Sequence, residues 1–262
     1  MQDRIRKGDK SAFFAVSMVA ELLKVEHALE MVESQGIAAL VNYLRKMAAD
    51  ATEGKTRAVK RIMADEEIKL CVQKAESLLE KGIEHPKMLA LTKIVKKVFD
   101  DNKDAKIIIF SNYRNTVSQI VQALKKLENA RPISFIGQAT KSDYDEGLTQ
   151  KEQLERLQLF RDGYYNCLIG TSISEEGLDI PAVDVAVFYE PIASEIRSIQ
   201  RRGRVGRSVK GKIFVLITKN TRDEAYYWSS HHKERRMKSI LTKMQGKELS
   251  FGKGLNKWAK RS

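Results

Sequence analysis

Residues 198–207 read Ser-Ile-Gln-Arg-Arg-Gly-Arg-Val-Gly-Arg, with four arginines and two glycines between Arg201 and Arg207. Gln200, Arg201, Gly203, Arg204, Gly206 and Arg207 form the pattern Q-R-x-G-R-x-G-R. Guanidinium is a planar fork of donors that stays charged and grips phosphate through two parallel hydrogen bonds. Arg204 and Arg207 are three apart and share one face of a helical turn. The glycines let the backbone approach a neighbouring surface closely. An exposed basic helix or a targeting-like cluster has the same composition. What favours a polyphosphate site is the apolar run Lys212-Ile-Phe-Val-Leu-Ile217, which puts the arginines at the edge of a packed sheet.

The elements that must carry this stretch come in two kinds. From residue 87 to residue 230, short apolar runs alternate with amphipathic helices. A helix over 87–99 precedes Lys106-Ile-Ile-Ile-Phe110, a run apolar throughout, as strands buried on both faces are. Val117, Ile120, Val121, Leu124 and Leu127 mark a helix, and Pro132–Ile136 a strand. Thr149 with Glu152 three residues on has the capping-box pattern at the start of the next helix. Asn166–Gly170, Val183–Tyr189 and Ile213–Ile217 complete the strands. This order predicts a parallel, doubly wound α/β sheet of about five to six strands. Ligands of such sheets bind beyond the carboxyl ends of the strands. Ser111, Asn112, Tyr113 and Arg114 follow the first strand, and Gly137 and Gln138 the second. Thr171 and Ser172 open the turn after the third, and Glu190 and Pro191 follow the fourth. Hydroxyls, amides and an arginine on one rim suit contact with phosphate oxygens without reading base identity. Asp179, in a glycine-containing turn, suits ribose hydroxyls.

Residues 1–86 carry no strand signal. Phe13, Phe14, Val16, Val19, Leu22, Leu23, Val25 and Leu29 form a helical stripe, and Gly36 is placed to end that helix. Ile37 to Met47 marks a second helix, and one long helix is expected over about 57–81. Gly54-Lys55-Thr56 resembles the end of a phosphate-binding loop, but the glycine required five residues earlier is Ala49 and no strand precedes it. Asp65-Glu66-Glu67 is expected to be the solvated face of the long helix rather than a metal-binding box. Lys55, Arg57, Lys60 and Arg61 stand against Glu53 at the tip between helices. They suit contact with a phosphate backbone as well as they suit an ordinary solvated face.

The formal charge of +13 points to a polyanionic partner, nucleic acid before membrane. No run approaches the roughly 18 uninterrupted apolar residues of a membrane helix. Cys71 and Cys167 are isolated, which fits a reduced cytoplasmic chain, associated with the nucleoid. The adjacent His231 and His232 point apart on a helix and do not chelate together, so no metal site is expected. Tyr226, Tyr227 and Trp228 are expected to pack on the sheet rather than stack on bases.

Taken together, Thr171-Ser172, Glu175-Glu-Gly-Leu-Asp-Ile-Pro181 and Gln200–Arg207 resemble motifs V and VI of superfamily 2 helicases, and Ile107–Arg114 resembles motif IV. With Phe188–Pro191 and Thr221–Ser230, the ensemble resembles the archaeal branch of the FANCM/Mph family of branched-DNA helicases, over residues 1 to about 245. The resemblance implies three segments. Residues 1–86 would be an all-helical, thumb-like insertion, 87–230 the second RecA-like motor domain, and 231–262 a helical end with a basic tail.

The resemblance also implies roles. Arg204 and Arg207 would act as arginine fingers on the γ-phosphate. Gly177, Asp179 and Gln200 would line the ATP side. Ser111, Arg114, Gln138, Thr171 and Ser172 would face the nucleic-acid strand, with Lys55, Arg57, Lys60 and Arg61 nearer duplex. A Walker A loop and an Asp-Glu box for ATP and magnesium are absent from these residues. The family places both in a first RecA-like domain before the helical insertion. The chain therefore reads as a fragment, monomeric and without ATPase activity alone, whose partners are forked or branched DNA and that first domain. An RNA helicase or double-stranded RNA-dependent ATPase of the RIG-I type shares the helical insertion. A non-catalytic nucleic-acid-binding module would keep the same fold.

Overall fold

A computed structural model of the 262-residue chain describes residues 10–138, 147–171, 183–191, 211–229 and 232. Helix α1 spans Lys10–Glu30 and runs into a single π turn, Met31–Gln35. Gly36 closes that turn with φ +101, and a Cβ there would stand 2.8 Å from the Cβ of His85. Backbone conformation and close approach thus both require glycine.

Helix α2 follows at Ile37–Thr52. The single helix expected over 57–81 is two, α3 at Arg57–Ala64 and α4 at Glu66–Glu80. Asp65 adopts extended backbone and its carboxylate accepts from the amides of Glu67 and Ile68 at 2.8 and 3.3 Å. The acidic run is therefore a helix cap with two acids in the first turn, where the helix dipole favours them. Thr56 caps α3 in the same way, accepting from the Val59 amide.

Val41, Leu44, Met47, Val59, Ile62 and Ala75 form the core of the helical part. The stripe on α1 is not in it. Phe14, Leu22, Leu23 and Leu29 are 56, 59, 58 and 47% exposed.

Helix α5, Pro86–Asp101, begins with proline in its first turn, where no amide partner is lost. Then come β1 (Ile107–Phe110), α6 (Arg114–Leu124), β2 (Pro132–Phe135), α7 (Gln150–Arg161), β3 (Cys167–Gly170), β4 (Val185–Phe188) and β5 (Lys212–Val215). The five strands are all parallel, in the order β2-β3-β1-β4-β5. The capping box expected at Thr149 and Glu152 is present.

Strand β1 lies at the centre and is buried along its length. Ile107 and Ile109 join the core under α5 and α6, with Leu91, Val95, Phe99, Val117 and Ile120. Ile108 and Phe110 point to the opposite core, under α7, with Phe135, Leu157, Phe160 and Phe188. Phe110 and Phe188 stack at 5.1 Å between centroids. Both faces are covered, which is why the strand reads as a continuous apolar run.

The helical part meets the sheet part through buried polar groups. The Nε2 of His85 donates to the Glu33 carbonyl at 3.0 Å, and its Nδ1 accepts from the Lys87 amide at 3.2 Å. Lys87 is 4% exposed. Its ammonium pairs with the buried Asp223, donates to the Ser34 carbonyl at 3.2 Å and stands 5.3 Å from the centre of the Tyr189 ring. The Thr116 hydroxyl donates to Gln35 Oε1 at 2.6 Å, and that of Tyr113 to Glu30 Oε1 at 3.0 Å. A buried ammonium with an ion pair, a carbonyl and an aromatic face meets the usual conditions for burying charge.

Candidate nucleic-acid interface at the sheet rim

The parallel register places the ends of β1, β2, β3 and β4 on one rim. Ser111, immediately after β1, is 2% exposed. Its Oγ donates to Glu190 Oε1 at 2.9 Å, and the Asn112 amide donates to Glu190 Oε2 at 2.9 Å. Glu190, two residues past the end of β4, thus holds the loop after β1 with one oxygen on each donor. The same serine oxygen accepts from the Tyr113 amide at 3.4 Å, just before α6. Burial pushes the Glu190 carboxyl above its ordinary value, while Lys87, the Asn112 amide, Ser111 and Gln35 pull the other way. Burial likewise raises the Tyr113 phenol, helped by Glu30.

Arg114 opens α6 and is 8% exposed, with one terminal nitrogen donating to the Gly137 carbonyl at 2.7 Å. That bond ties the loop after β1 to the loop after β2. Gln138 follows, its amide 3.5 Å from Gln153 Oε1, while Gln153 donates to the Ile136 carbonyl at 2.8 Å. A Cβ on Gly147 would lie 2.1 Å from the Gln138 carbonyl oxygen, so the chain returns there on glycine alone. Thr171 is 4% exposed, and its amide donates to the Phe135 carbonyl at 3.3 Å.

Ser111, Arg114, Gln138 and Thr171 are thus brought to one rim, but not as equivalent surface donors. The Ser111 hydroxyl turns to Glu190 and the Arg114 guanidinium to a carbonyl. Among the described residues of these loops, Asn112 and Gln138 are the ones whose side chains face water. Sequence reasoning passed over Asn112 as a contact and Glu190 as its holder. The available signal was a lone acid just past an apolar strand.

The basic tip is less charged than its composition suggested. Lys55 pairs with Asp50 at 2.7 Å and Glu53 at 2.9 Å, and these acids raise its affinity for the proton. Arg61 pairs with Glu21 of α1 at 3.1 Å and lies over the Phe14 ring. Arg57 and Lys60 are exposed and make no ion pair among the described residues. Tyr226 and Trp228, expected to pack on the sheet, are 41 and 50% exposed.

Arg204, Arg207, Gln200, Gly177, Asp179 and Ser172 lie outside the described residues. No helix among the described residues is long and apolar enough to cross a membrane.

Residues 86–209 match the family described as helicase conserved C-terminal domain. Residues 2–82 match the helical bundle described for an ATP-dependent RNA helicase. A Methanocaldococcus jannaschii protein that carries the name of an ATP-dependent RNA helicase is 44% identical over 87% of this chain and 28% of its own length. The ATP-dependent DNA helicase Fml1 of Schizosaccharomyces pombe is 34% identical over 86% of this chain and 27% of its own. The crystal structure of the Pyrococcus furiosus Hef helicase domain superposes with a TM-score of 0.68, at 42% identity. It covers 87% of this chain and 46% of that one. The chain thus spans less than a third of the curated relatives it matches.

Proposed function

Because the chain belongs to the superfamily 2 helicases of the Hef and Mph1/Fml1 type, we propose that it is one half of an ATP-dependent DNA motor. In this reading residues 1–86 are the helical insertion, 87–230 the second RecA-like domain, and 231–262 a helical end and basic tail. The motor acts on forked or branched DNA. The observation that carries the reading is the rim. Loops after three parallel strands of the sheet, β4, β1 and β2, are tied to one another by Glu190 and Arg114, and they present Asn112 and Gln138 to water. A surface of side-chain amides contacts a strand through its backbone, which suits a motor that must move along any sequence.

In this reading the chemistry belongs to residues between Gly177 and Arg207. Arg204 and Arg207 would reach the γ-phosphate of ATP held by a first motor domain. Guanidinium suits that task, since it stays charged and pairs with two phosphate oxygens at once. Magnesium with ATP would supply the transferable phosphoryl group and part of the charge neutralisation. The arginines would stabilise charge that develops as the phosphoryl group leaves, an effect worth ~10³-fold or more in analogous systems. Gln200, Gly177 and Asp179 would line the nucleotide, and Thr171 and Ser172 would join nucleotide and strand sites. The 262 residues contain neither a Walker A loop nor an Asp-Glu box, so hydrolysis requires the partner domain.

Arg204→Ala in the intact polypeptide should lower ATP turnover by ~10³-fold and leave DNA affinity nearly unchanged. Unchanged turnover would remove the arginine from the reaction. An RNA substrate is the second reading, favoured by the description of the Methanocaldococcus relative. Stimulation of ATPase by branched DNA over RNA separates the two, because backbone contacts alone do not, the 2′-hydroxyl being what distinguishes RNA.

A further inference from the structure

The carboxylate of Glu190 lies where three parts of the molecule meet. One oxygen takes the Ser111 hydroxyl and the other the Asn112 amide. From the helical part, Gln35 at the end of the π turn favours its ionised form. Gln35 is 2% exposed, and its Oε1 accepts from Thr116 on α6 at 2.6 Å. Its Nε2 completes no hydrogen bond of good geometry. One residue earlier, the Ser34 carbonyl takes the Lys87 ammonium, which also pairs with Asp223 and bears on Glu190. The π turn ends α1, the Gly36 amide donating to the Met31 carbonyl at 2.8 Å, and so fixes where Ser34 and Gln35 stand.

We propose that Glu190 is a positioning residue that couples the orientation of the helical part, through Gln35, to the loop 111–114. This rests on the reading that the loop grips the nucleic-acid strand. Gln35 carries a buried donor without a completed bond beside a carboxylate whose two oxygens already hold that loop. A small rotation of the helical part completes a third bond to the carboxylate or withdraws the amide from it. Either change is felt at Ser111 and Asn112, because the same two oxygens serve all the donors. An uncompleted buried donor is costly, which favours whichever arrangement completes its bond. Grip on the strand thereby depends on where the helical part stands. If Glu190 merely satisfied its neighbours, a change at Gln35, which does not touch the loop, would leave the loop as it is.

The test uses the 262-residue chain with two readouts, hydrogen exchange at the Asn112 amide and affinity for a single-stranded oligothymidylate. Glu190→Ala should speed exchange and weaken binding, each about tenfold. Glu190→Gln keeps one acceptor and should restore most of both. Gln35→Ala should move both in the same direction by about threefold, and its effect should vanish in the Glu190→Ala background. Should Glu190→Ala fail to fold, the same cycle is run with Glu190→Met, which fills the site and removes both carboxylate acceptors.

Gln35→Ala without effect on either readout, or with an effect that simply adds to that of Glu190, overturns the coupling. Faster exchange with unchanged affinity also overturns it, since the loop then moves without altering grip. Asn112→Ala reports on the strand-gripping reading by itself. If that variant binds the oligothymidylate as tightly as the parent, that reading fails whatever Gln35 does.

Discussion

The imidazole of His85 is fixed in its neutral form by its two partners. Nδ1 must be bare to accept from the Lys87 amide, and Nε2 carries the proton given to the Glu33 carbonyl. Burial holds its pKa below the ordinary 6.5, Lys87 adding to the effect while the Glu33 carbonyl and Asp223 oppose it. A folded-state value below the unfolded one means the folded chain binds fewer protons between the two. Stability from this residue is therefore complete above the unfolded value and is lost as pH falls towards the folded one. Between about pH 7 and about pH 5.5, the melting temperature should fall more for the parent than for His85→Asn. Asparagine keeps a helix-capping acceptor but does not titrate. Equal slopes would exclude the histidine as the linked group. Lys87 makes the complementary case. Lys87→Met removes one partner of a buried pair and leaves Asp223 uncompensated, a loss expected at about 3–5 kcal/mol in urea unfolding. A loss under about 1 kcal/mol would mean that solvent reaches Asp223.

At the level of elements, the break between α3 and α4 depends on one carboxylate. Asp65→Ala should cost about 1 kcal/mol, and Asp65→Ser should recover most of it, because serine also caps. A neutral alanine variant would show that packing of Ile62 and Ala75 sets the break instead. This element also shows where sequence reading stops. The apolar positions run on at helical spacing through Met63 and Ile68, and aspartate is tolerated in helices, so nothing local distinguishes a cap from an exposed face. The capping box at Thr149 and Glu152 was legible because two residues at fixed spacing must agree. Strands β1, β3 and β4 were legible because double burial leaves no polar position in them. The stripe on α1 marked the helix and said nothing of its surroundings, since periodicity reports a face and not what covers it. The rim residues were legible from topology, as the carboxyl ends of parallel strands must meet. Their side-chain directions were not, because the partner of Ser111 lies 79 positions away at Glu190. Nothing in either segment names the other.

For the whole molecule the deciding quantity is charge and its distribution. The chain carries +13, and residues 233–262 hold ten Lys/Arg against Glu234 and Glu248. Within the described basic tip, by contrast, Lys55 and Arg61 are already neutralised by Asp50, Glu53 and Glu21, leaving Arg57 and Lys60. Long-range attraction for nucleic acid should therefore come more from the C-terminal segment than from the helical tip. Each phosphate neutralised on a single strand contributes about 0.7 to the slope of log affinity against log salt. After Leu241 stand Lys243, Lys247, Lys253, Lys257, Lys260 and Arg261. Ending the chain at Leu241 should lower that slope by as much as about 4 and weaken binding mainly at low salt. Arg57→Glu with Lys60→Glu should lower it by about 1 to 2 if the helical tip meets a phosphate backbone. If truncation leaves the slope untouched while the double substitution removes most of it, the order is reversed, and the helical part carries the electrostatic attraction to nucleic acid.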